Sequence, residues 1–390
     1  MPPTAPRLVL LAAGMFAIGT DSFVIAPLLS HIAHDLDVGI ATAAQLITAY
    51  ALAYALGSPF IAAVTARWPR RRALATGLAI FVLANVGAAF APSFAALLVA
   101  RALAGLGAAL FAPVASATAT GLVTAERRGR ALSIMMIGLS GATALGSPLG
   151  TLVGSVLSWR AVFLLVAALA ATVAVVIVTI RDGVEADGTS VSERLRPLRM
   201  TSVLVTLLTT FLVLTGLYVS YTYISVIFDR ATGNDGVGMA ILQSIWGFSG
   251  IVGATIAGRL TDRWGSGMVI RLMLVFLILD FALMPWASAS AGSAAAAMLV
   301  WGICAWGFVV PQQHRLLDIA PQSASILLAL YTMAVYGGTS ASGIVGALAL
   351  QAIDPHHLPL VGVALILSGL IVDECARRRR KRASMVVHEA

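Results

Sequence analysis

Ala62-Ala63-Val64-Thr65-Ala66-Arg67-Trp68-Pro69, running into Arg70-Arg71-Arg72, returns in the second half of the chain as Gly258-Arg259-Leu260-Thr261-Asp262-Arg263-Trp264-Gly265. The two strings align without a gap and share Thr65/Thr261, Arg67/Arg263 and Trp68/Trp264. Each follows a long apolar stretch. A basic turn at the same point of two hydrophobic halves implies a duplicated, polytopic membrane protein, and such internal repeats are a feature of secondary transporters. The first copy lacks the acid and the closing glycine of the second.

Composition supports this reading. Hydrophobic residues make up 59% of the chain and charged residues only 11%, with a mean hydropathy of +0.94. A soluble domain is far less apolar. The uncharged runs repeatedly reach the ~20 residues a helix needs to cross lipid. The net charge of +8 does not indicate a nucleic-acid partner, because the basic residues sit between apolar spans and act as topology signals. The first apolar run ends in no small-residue cleavage pattern and is expected to stay as the first span. Cys304 lies in an apolar span and Cys375 beside a basic tail, with no metal-site neighbours and no expected disulfide.

Apolar stretches fall at 7–29, 42–65, 73–91, 94–121, 130–156, 159–181, 202–226, 238–261, 267–287, 292–316, 323–351 and 358–376. These twelve spans make an all-α protein with both termini on one side. The turns on one face carry only Arg160 and Arg230, while the other face carries Arg7, Arg67, Arg70 to Arg72, Arg127, Arg128, Arg130, Arg181, Arg194, Arg196, Arg199, Arg259, Arg263, Arg315 and the run Arg377 to Arg382. Positive charge is retained in the cytoplasm, which places both termini there. The expected organisation is a six-helix bundle over 1–181, a polar cytoplasmic linker over 182–200, a second six-helix bundle over 201–376 and a basic tail over 377–390. The arginine run in the tail suits anionic lipid or a simple topology signal.

Ionisable groups deep in a span are costly and therefore informative. They are Asp21 in span one, Arg101 in span four and Asp280 in span nine. Span one runs outward and puts Asp21 about 21 Å from its cytoplasmic edge, while span four runs inward and puts Arg101 about 10 Å below the outer edge. In a core ~30 Å thick the two lie at similar depth and can pair. A carboxylate that alternates between a cation and apolar surroundings can carry a proton. The alternative is a static ion pair joining two helices. Asp280 has no evident partner.

Span five is punctuated by Gly138, Gly141, Gly146, Pro148, Gly150 and Gly154. Gly146, Gly150 and Gly154 share one face and admit another helix closely, and Pro148 invites a kink. Gln45, Tyr50, Asn85, Tyr218, Tyr221, Gln243, Trp246 and Trp301 are candidates to line a binding cavity for a neutral or amphipathic compound. Tyr223 and Trp306 read instead as an interfacial aromatic belt. Gln312, Gln313 and His314 read as interfacial, and His31, His34, His356 and His357 as solvated turn residues. No P-loop, dinucleotide fingerprint, metal-spaced cluster or nucleophile elbow is present, so no enzyme and no cofactor are expected.

The chain resembles the major facilitator superfamily, and within it the twelve-helix drug:proton antiporters, over essentially its whole length. Gly258-x-Leu260-x-Asp262-Arg263-x-Gly265 is similar to the family's loop motif, and Arg101-Ala-Leu-Ala-Gly105-Leu-Gly107 to its fourth-helix motif, whose arginine is implicated in proton coupling. Gly141 to Gly150 is similar to the fifth-helix antiporter motif, and Trp159-Arg160-Ala-Val-Phe163 to the entry of helix six. Ala17 to Val24 and Arg67 to Arg72 look most like the chloramphenicol-resistance and sugar-efflux branch, which often has an acid at the position of Ser22. Here the acid is Asp21, about 100° round the helix.

The resemblance implies a monomer that exports a small neutral or amphipathic compound, such as a drug, sugar or nucleoside, in exchange for protons. The proton gradient would be its energy source, substrate, protons and the lipid bilayer its partners, and a bacterial inner membrane its location. Asp21 and Arg101 would couple to protons, while Arg67, Asp262, Arg263, Gly146, Pro148 and Gly150 would serve gating. A proton-coupled sugar or nucleoside importer shares the fold and is disfavoured by the span-five motif. A non-transporting receptor is disfavoured by the lack of any sizeable extramembrane domain.

Overall fold

The computed structural model of the chain describes residues 4–65, 68–124, 127–179, 200–320 and 324–389. Among these residues the secondary structure is helical, with no strand. Twelve long helices carry the chain: α1 (Thr4–Asp35), α2 (Gln45–Val64), α3 (Arg70–Ala89), α4 (Phe94–Gly121), α5 (Arg128–Val156), α6 (Trp159–Thr179), α7 (Thr201–Thr222), α8 (Gly236–Trp264), α9 (Ser266–Ala287), α10 (Ala291–Ile319), α11 (Ala324–Ala349) and α12 (Leu358–Glu389). Eleven are long and apolar enough to cross a membrane. The remaining one, α11, has 26 residues and spans about 39 Å, also long enough to cross.

The duplication is visible in the packing. In the first half α2 and α3 pack on α4, α6 packs on α3, and α1 packs on α5 and α6. Six helices later, α8 and α9 pack on α10, α12 packs on α9, and α7 packs on α11 and α12. The halves join through α2 with α11 and α5 with α8, contacts that exchange under the same six-helix shift. Corresponding helix starts are also capped alike. Ser93 accepts from the amide of Ala96 at the start of α4, and Ser290 from that of Ser293 at the start of α10, satisfying amides that the helix leaves free.

Lipid-embedded helices gain little from hydrophobic exclusion between themselves, so close packing through small residues matters. A Cβ added at Gly107 of α4 would sit 2.7 Å from the Phe81 amide nitrogen and 2.8 Å from the Gly77 carbonyl oxygen of α3. On α5, Gly146, Gly150 and Gly154 face Thr20, Val24 and Leu28 of α1, four-residue steps matching on both helices. The kink expected at Pro148 takes the form of a π-helical stretch just before it, Ala142–Gly146, in which the Ser147 amide reaches back to the Ala142 carbonyl. The wider turn accommodates the hydrogen bond the proline cannot make.

The two repeated turns differ in backbone. Gly265 closes the second at φ +76°, a conformation glycine adopts without strain. Pro69, in the equivalent place, is the extended residue that starts α3. Arg72 lies over the Trp68 ring, 4.7 Å from its centroid, and Arg71 donates to the Val178 carbonyl.

The end away from the arginines is tied within each half. Arg160 and Trp159 bind Asp35, and Arg230 donates to Pro285 O and Ser288 Oγ, each at 2.8 Å. His356, expected to be solvated, is bracketed by Asp229 at 2.8 Å and Asp354 at 2.5 Å. The His356 amide, and then its ring, hold the Asp354 carboxyl below its usual range. The segment expected as a basic tail, 377–390, is helical as far as Glu389, continuous with α12. Of the linker expected over 182–200, all but Met200 lies outside the described residues.

Gly107→Leu forces α3 off α4, and overpacking of this kind costs about 1–3 kcal/mol. The expected outcome is a lowered unfolding midpoint in detergent. Gly87→Ala, at a glycine on α3 with nothing within 4 Å of an added Cβ, should leave the midpoint in place.

Candidate functional site

α1 and α4 bring Asp21 and Arg101 together, as their depths imply. Arg101 Nη1 lies 2.8 Å from both Asp21 carboxylate oxygens, and the two side chains are at most 1% exposed. One nitrogen serves both oxygens, and Arg101 Nε has no partner. This is weaker than a fork in which two nitrogens each take one oxygen. Two rings cover the guanidinium, Tyr50 at 4.5 Å and Phe163 at 5.7 Å from the ring centroids, where their π faces favour the cation.

The cover is itself anchored. Ser22 Oγ lies 2.9 Å from both the Ile18 carbonyl and the Tyr50 hydroxyl. Ser22 offers its one proton to the Ile18 carbonyl and to the Tyr50 hydroxyl. Tyr54, one turn further along α2, stacks on Tyr336 of α11, with centroids 3.8 Å apart.

The halves meet from this level outward. Tyr221 donates to the Phe23 carbonyl at 2.9 Å, Thr48 to that of Ser340 at 3.3 Å, and Ser30 to Ser225 at 3.0 Å. Gln243 of α8 enters α5 beside Pro148. Its amide donates to Ser147 Oγ at 3.0 Å and its carbonyl accepts from Thr151 at 2.7 Å. One turn along α8, a Cβ on Gly247 would sit 2.6 Å from the Thr143 carbonyl oxygen in the π-helical stretch. Gln243, expected to line a cavity, is thus a buried inter-half latch with both amide atoms engaged. Among the described residues no hydrogen bond, ion pair or ring contact joins the halves nearer the arginine-rich end.

Trp246 and Trp301 form an aromatic cluster with Phe23, Tyr221, Trp306 and Phe281. Both indole nitrogens are buried without a partner. Tyr218 is half-buried against Tyr221. Trp306, read from sequence as interfacial, belongs to this cluster. Tyr223 was read the same way, yet it is fully buried and donates to the Gly343 carbonyl at 3.0 Å. All seven tyrosines of the chain sit in this interior rather than in an interfacial belt. Gln312 is likewise fully buried, bonded to Thr206 O and Thr210 Oγ1 of α7.

Other expected residues lie elsewhere. Asn85 is buried in α3, which packs on α4 and α6, and donates to Phe81 O of its own helix. It does not face the other half. Gln45 opens α2 and donates to Ala41 O. Asp280 is buried on α9 near Cys304, with one carboxylate oxygen unpartnered, in the other half from Asp21. Asp262 and Arg263 are exposed and make no ion pair among the described residues. Arg67 lies outside them. Sequence reasoning missed Tyr54, Tyr336, Ser147 and Thr151. A signal existed for the first: Tyr54 shares a helix face with Tyr50.

Two bundled helical halves, joined on one side of a buried ion pair and linked by no hydrogen bond, ion pair or ring contact on the other among the described residues, are the build of a polytopic membrane transporter. Residues 11–343 match the family model described as Major Facilitator Superfamily, and the chain belongs to that family. It is similar to a chloramphenicol resistance protein of Streptomyces lividans, 34% identical over 66% of this chain and 67% of that protein. It is similar also to a chloramphenicol efflux pump of Mycobacterium tuberculosis, 34% identical over 69% and 66%, and to the Escherichia coli inner membrane transport protein YdhP, 33% identical over 69% and 72%. Among solved structures, a bacterial homologue of the human lysosomal transporter Spinster, described as inward-facing and unoccupied, superposes with a TM-score of 0.77 at 17% identity, over 97% of this chain and 98% of that one.

Gln243→Leu removes both latch bonds and leaves Ser147 and Thr151 without their partner across the interface. At about 1 kcal/mol per hydrogen bond, the balance should move roughly 10-fold or more toward opening on that side. Thiol labelling of Ser155→Cys, beside Gly236 at that end, should accelerate accordingly. An unchanged rate would show that the latch does not hold the closed side.

Proposed function

We propose that this transporter is a proton-coupled antiporter that exports a small neutral or amphipathic compound, with Asp21 as proton carrier and Arg101 as its charge partner. The observation that carries the reading is the enclosed Asp21–Arg101 pair at the level where the halves meet. Paired, the two charges offset each other. Protonating Asp21 leaves a guanidinium in lipid-depth surroundings with an unpartnered Nε, and losing one member of a buried pair costs about 3–5 kcal/mol. The surroundings must then rearrange, which is how a proton can move a helix.

The charge asymmetry of the turns supports placing the arginine-rich end, with both termini, in the cytoplasm. The state described then stands open inward, positioned to take a compound from the cytoplasm. The Gly146–Gly150–Gly154 face against α1 and the π-helical stretch before Pro148 supply a close but deformable contact on which the halves can rock. The named activities of the Streptomyces and Mycobacterium relatives make chloramphenicol the first compound to test. Sugars and nucleosides complete the panel.

Asp21→Asn should lower efflux driven by an imposed pH gradient at least 10-fold in proteoliposomes while keeping counterflow of labelled chloramphenicol. Asp21→Asn with Arg101→Gln, which leaves no buried lone charge, controls for folding. Unchanged gradient-driven efflux in the single variant would overturn the role of Asp21.

A further inference from the structure

The 196-residue offset between Thr65 and Thr261 also relates Arg160 to His356. In the first half Arg160 and Trp159, at the start of α6, hold Asp35, the last residue of α1. In the second half His356, in the turn Pro355–His357 before α12, holds Asp229 in the connection from α7 to α8, with Nε2 at 2.8 Å. Asp229 stands two residues before the position equivalent to Asp35. The same tie is thus built twice at the end away from the arginine-rich turns. One copy uses a permanent cation and the other a titratable one.

The geometry at His356 selects a protonation state. Its Nδ1 faces Asp354 at 2.5 Å while its Nε2 faces Asp229. A neutral imidazole has one N–H, so it donates to one carboxylate and turns a lone pair toward the other. Only the imidazolium donates to both. Asp354 stays ionised where histidine titrates, because the His356 amide, and then its ring, hold its carboxyl below the usual range. The elements packed on this turn are Ile224–Ile227, α9 and α12. Residues 281–287 of α9 and 358–372 of α12 contribute no ionisable group. The charged and titratable neighbours are therefore Asp229, Arg230, Asp354 and His357. Arg230 is engaged by Pro285 O and Ser288 Oγ, and His356 is the cation that lies between the two acids.

What the tie holds bears on the joint between the halves. Ile224–Ile227 also packs on α1, and Ser225 bonds to Ser30 of α1 at 3.0 Å. Asp229 follows Ser225 by one helical turn of sequence. We infer that His356 is a pH-sensitive catch on the joined side: as imidazolium it clamps the segment that meets α1, and as neutral imidazole it lets that segment loosen. The catch is held while histidine keeps its proton and released as pH rises through the range in which histidine loses it, about pH 5 to 8. Neither Asp21 nor Arg101 takes part.

Backbone hydrogen exchange of residues 224–235 in nanodiscs reads the clamp without a substrate. The unmodified chain, His356→Arg and His356→Gln are compared at about pH 5 and again at about pH 8, toward either end of that range. Comparison at one pH cancels the intrinsic exchange chemistry and any response of Asp21, so the result stands apart from the proton-coupled reading. At the lower pH the unmodified chain should match His356→Arg, the residue of the first half. At the higher pH it should match His356→Gln and exchange about 2–10-fold faster than His356→Arg, the worth of one hydrogen bond. Asp229→Asn should resemble His356→Gln at the lower pH. Thiol labelling of Ser155→Cys, with Cys304→Ala and Cys375→Ser, should change in step, because Ser155 meets Gly236 across the joint. An unmodified chain that matches His356→Arg at both pH values, or three proteins that exchange alike, would overturn the catch. So would labelling that stays constant while exchange changes, since the joint would then not depend on the clamp.

Discussion

A charge in the middle of a bilayer persists only if its surroundings offset it, and much of the first half can be understood as the means of holding Asp21 against Arg101. The spacing in α4 shows how. Arg101 and Gly105 lie one turn apart on the same face, and a Cβ on Gly105 would run into the Tyr50 backbone carbonyl. The glycine lets α2 come close enough for the Tyr50 ring to lie 4.5 Å from the guanidinium. Phe163 of α6 covers the cation from another side. The R-x-x-x-G pattern is thus a packing device as much as a charge: the arginine needs a ring over it, and the glycine makes room for the helix that brings one.

The second half repeats the backbone contact without the charge. At the 196-residue offset that aligns Thr65 with Thr261, Tyr50 corresponds to Trp246. Gly302, within one residue of the position equivalent to Gly105, is pressed against the Trp246 backbone as Gly105 is against Tyr50. At the 197-residue offset that relates Ser93 to Ser290 and Gly105 to Gly302, the position equivalent to Arg101 is Met298. At the 196-residue offset that equivalent to Asp21 is Leu217. One scaffold therefore carries an ion pair in one copy and an aromatic cluster in the other. The asymmetry first seen in the repeated turn, where one copy has the acid and glycine and the other does not, extends into the interior with the opposite sense. The half that keeps Asp262 outside has no ion pair at the place equivalent to Asp21–Arg101, and its buried pair, Arg315–Asp373, joins α10 to α12 instead.

The span positions, the duplication and the Asp21–Arg101 pairing were legible because each follows from period, charge or depth along single helices. The glycine face of α5 was legible for the same reason, since four-residue spacing implies one face whatever packs on it. Gln243, Gln312 and Tyr223 were not. Their partners lie about 100 residues away, and a polar side chain in an apolar run looks the same whether it faces a cavity, a headgroup or a carbonyl on another helix. Pro148 signalled a distortion in α5, but the widened turn lies before it, where Gly247 of α8 approaches. Local sequence marked the weak point, and the neighbouring helix determined its form.

The contrast between the two sides of the interface bears on how the molecule can switch. On the closed side the halves are joined by neutral hydrogen bonds, stacked rings and small-residue contacts, each worth only about a kcal/mol. The ion pairs, by contrast, stay within one half or the other. Parting the halves there exposes no unpaired buried charge. On the other side, closure would bring Arg70, Arg128 and Arg130 of the first half toward Arg259 and Arg263 of the second. Water and salt screen that repulsion beyond about 8 Å, so it opposes only the last step of approach. On the proposed reading Asp262, exposed and in no ion pair among the described residues, is an acid placed where that approach needs one. On that reading, too, the energetic weight of the cycle falls on the interior: the membrane-depth ion pair would bias the halves, and the contacts between them are weak enough to yield.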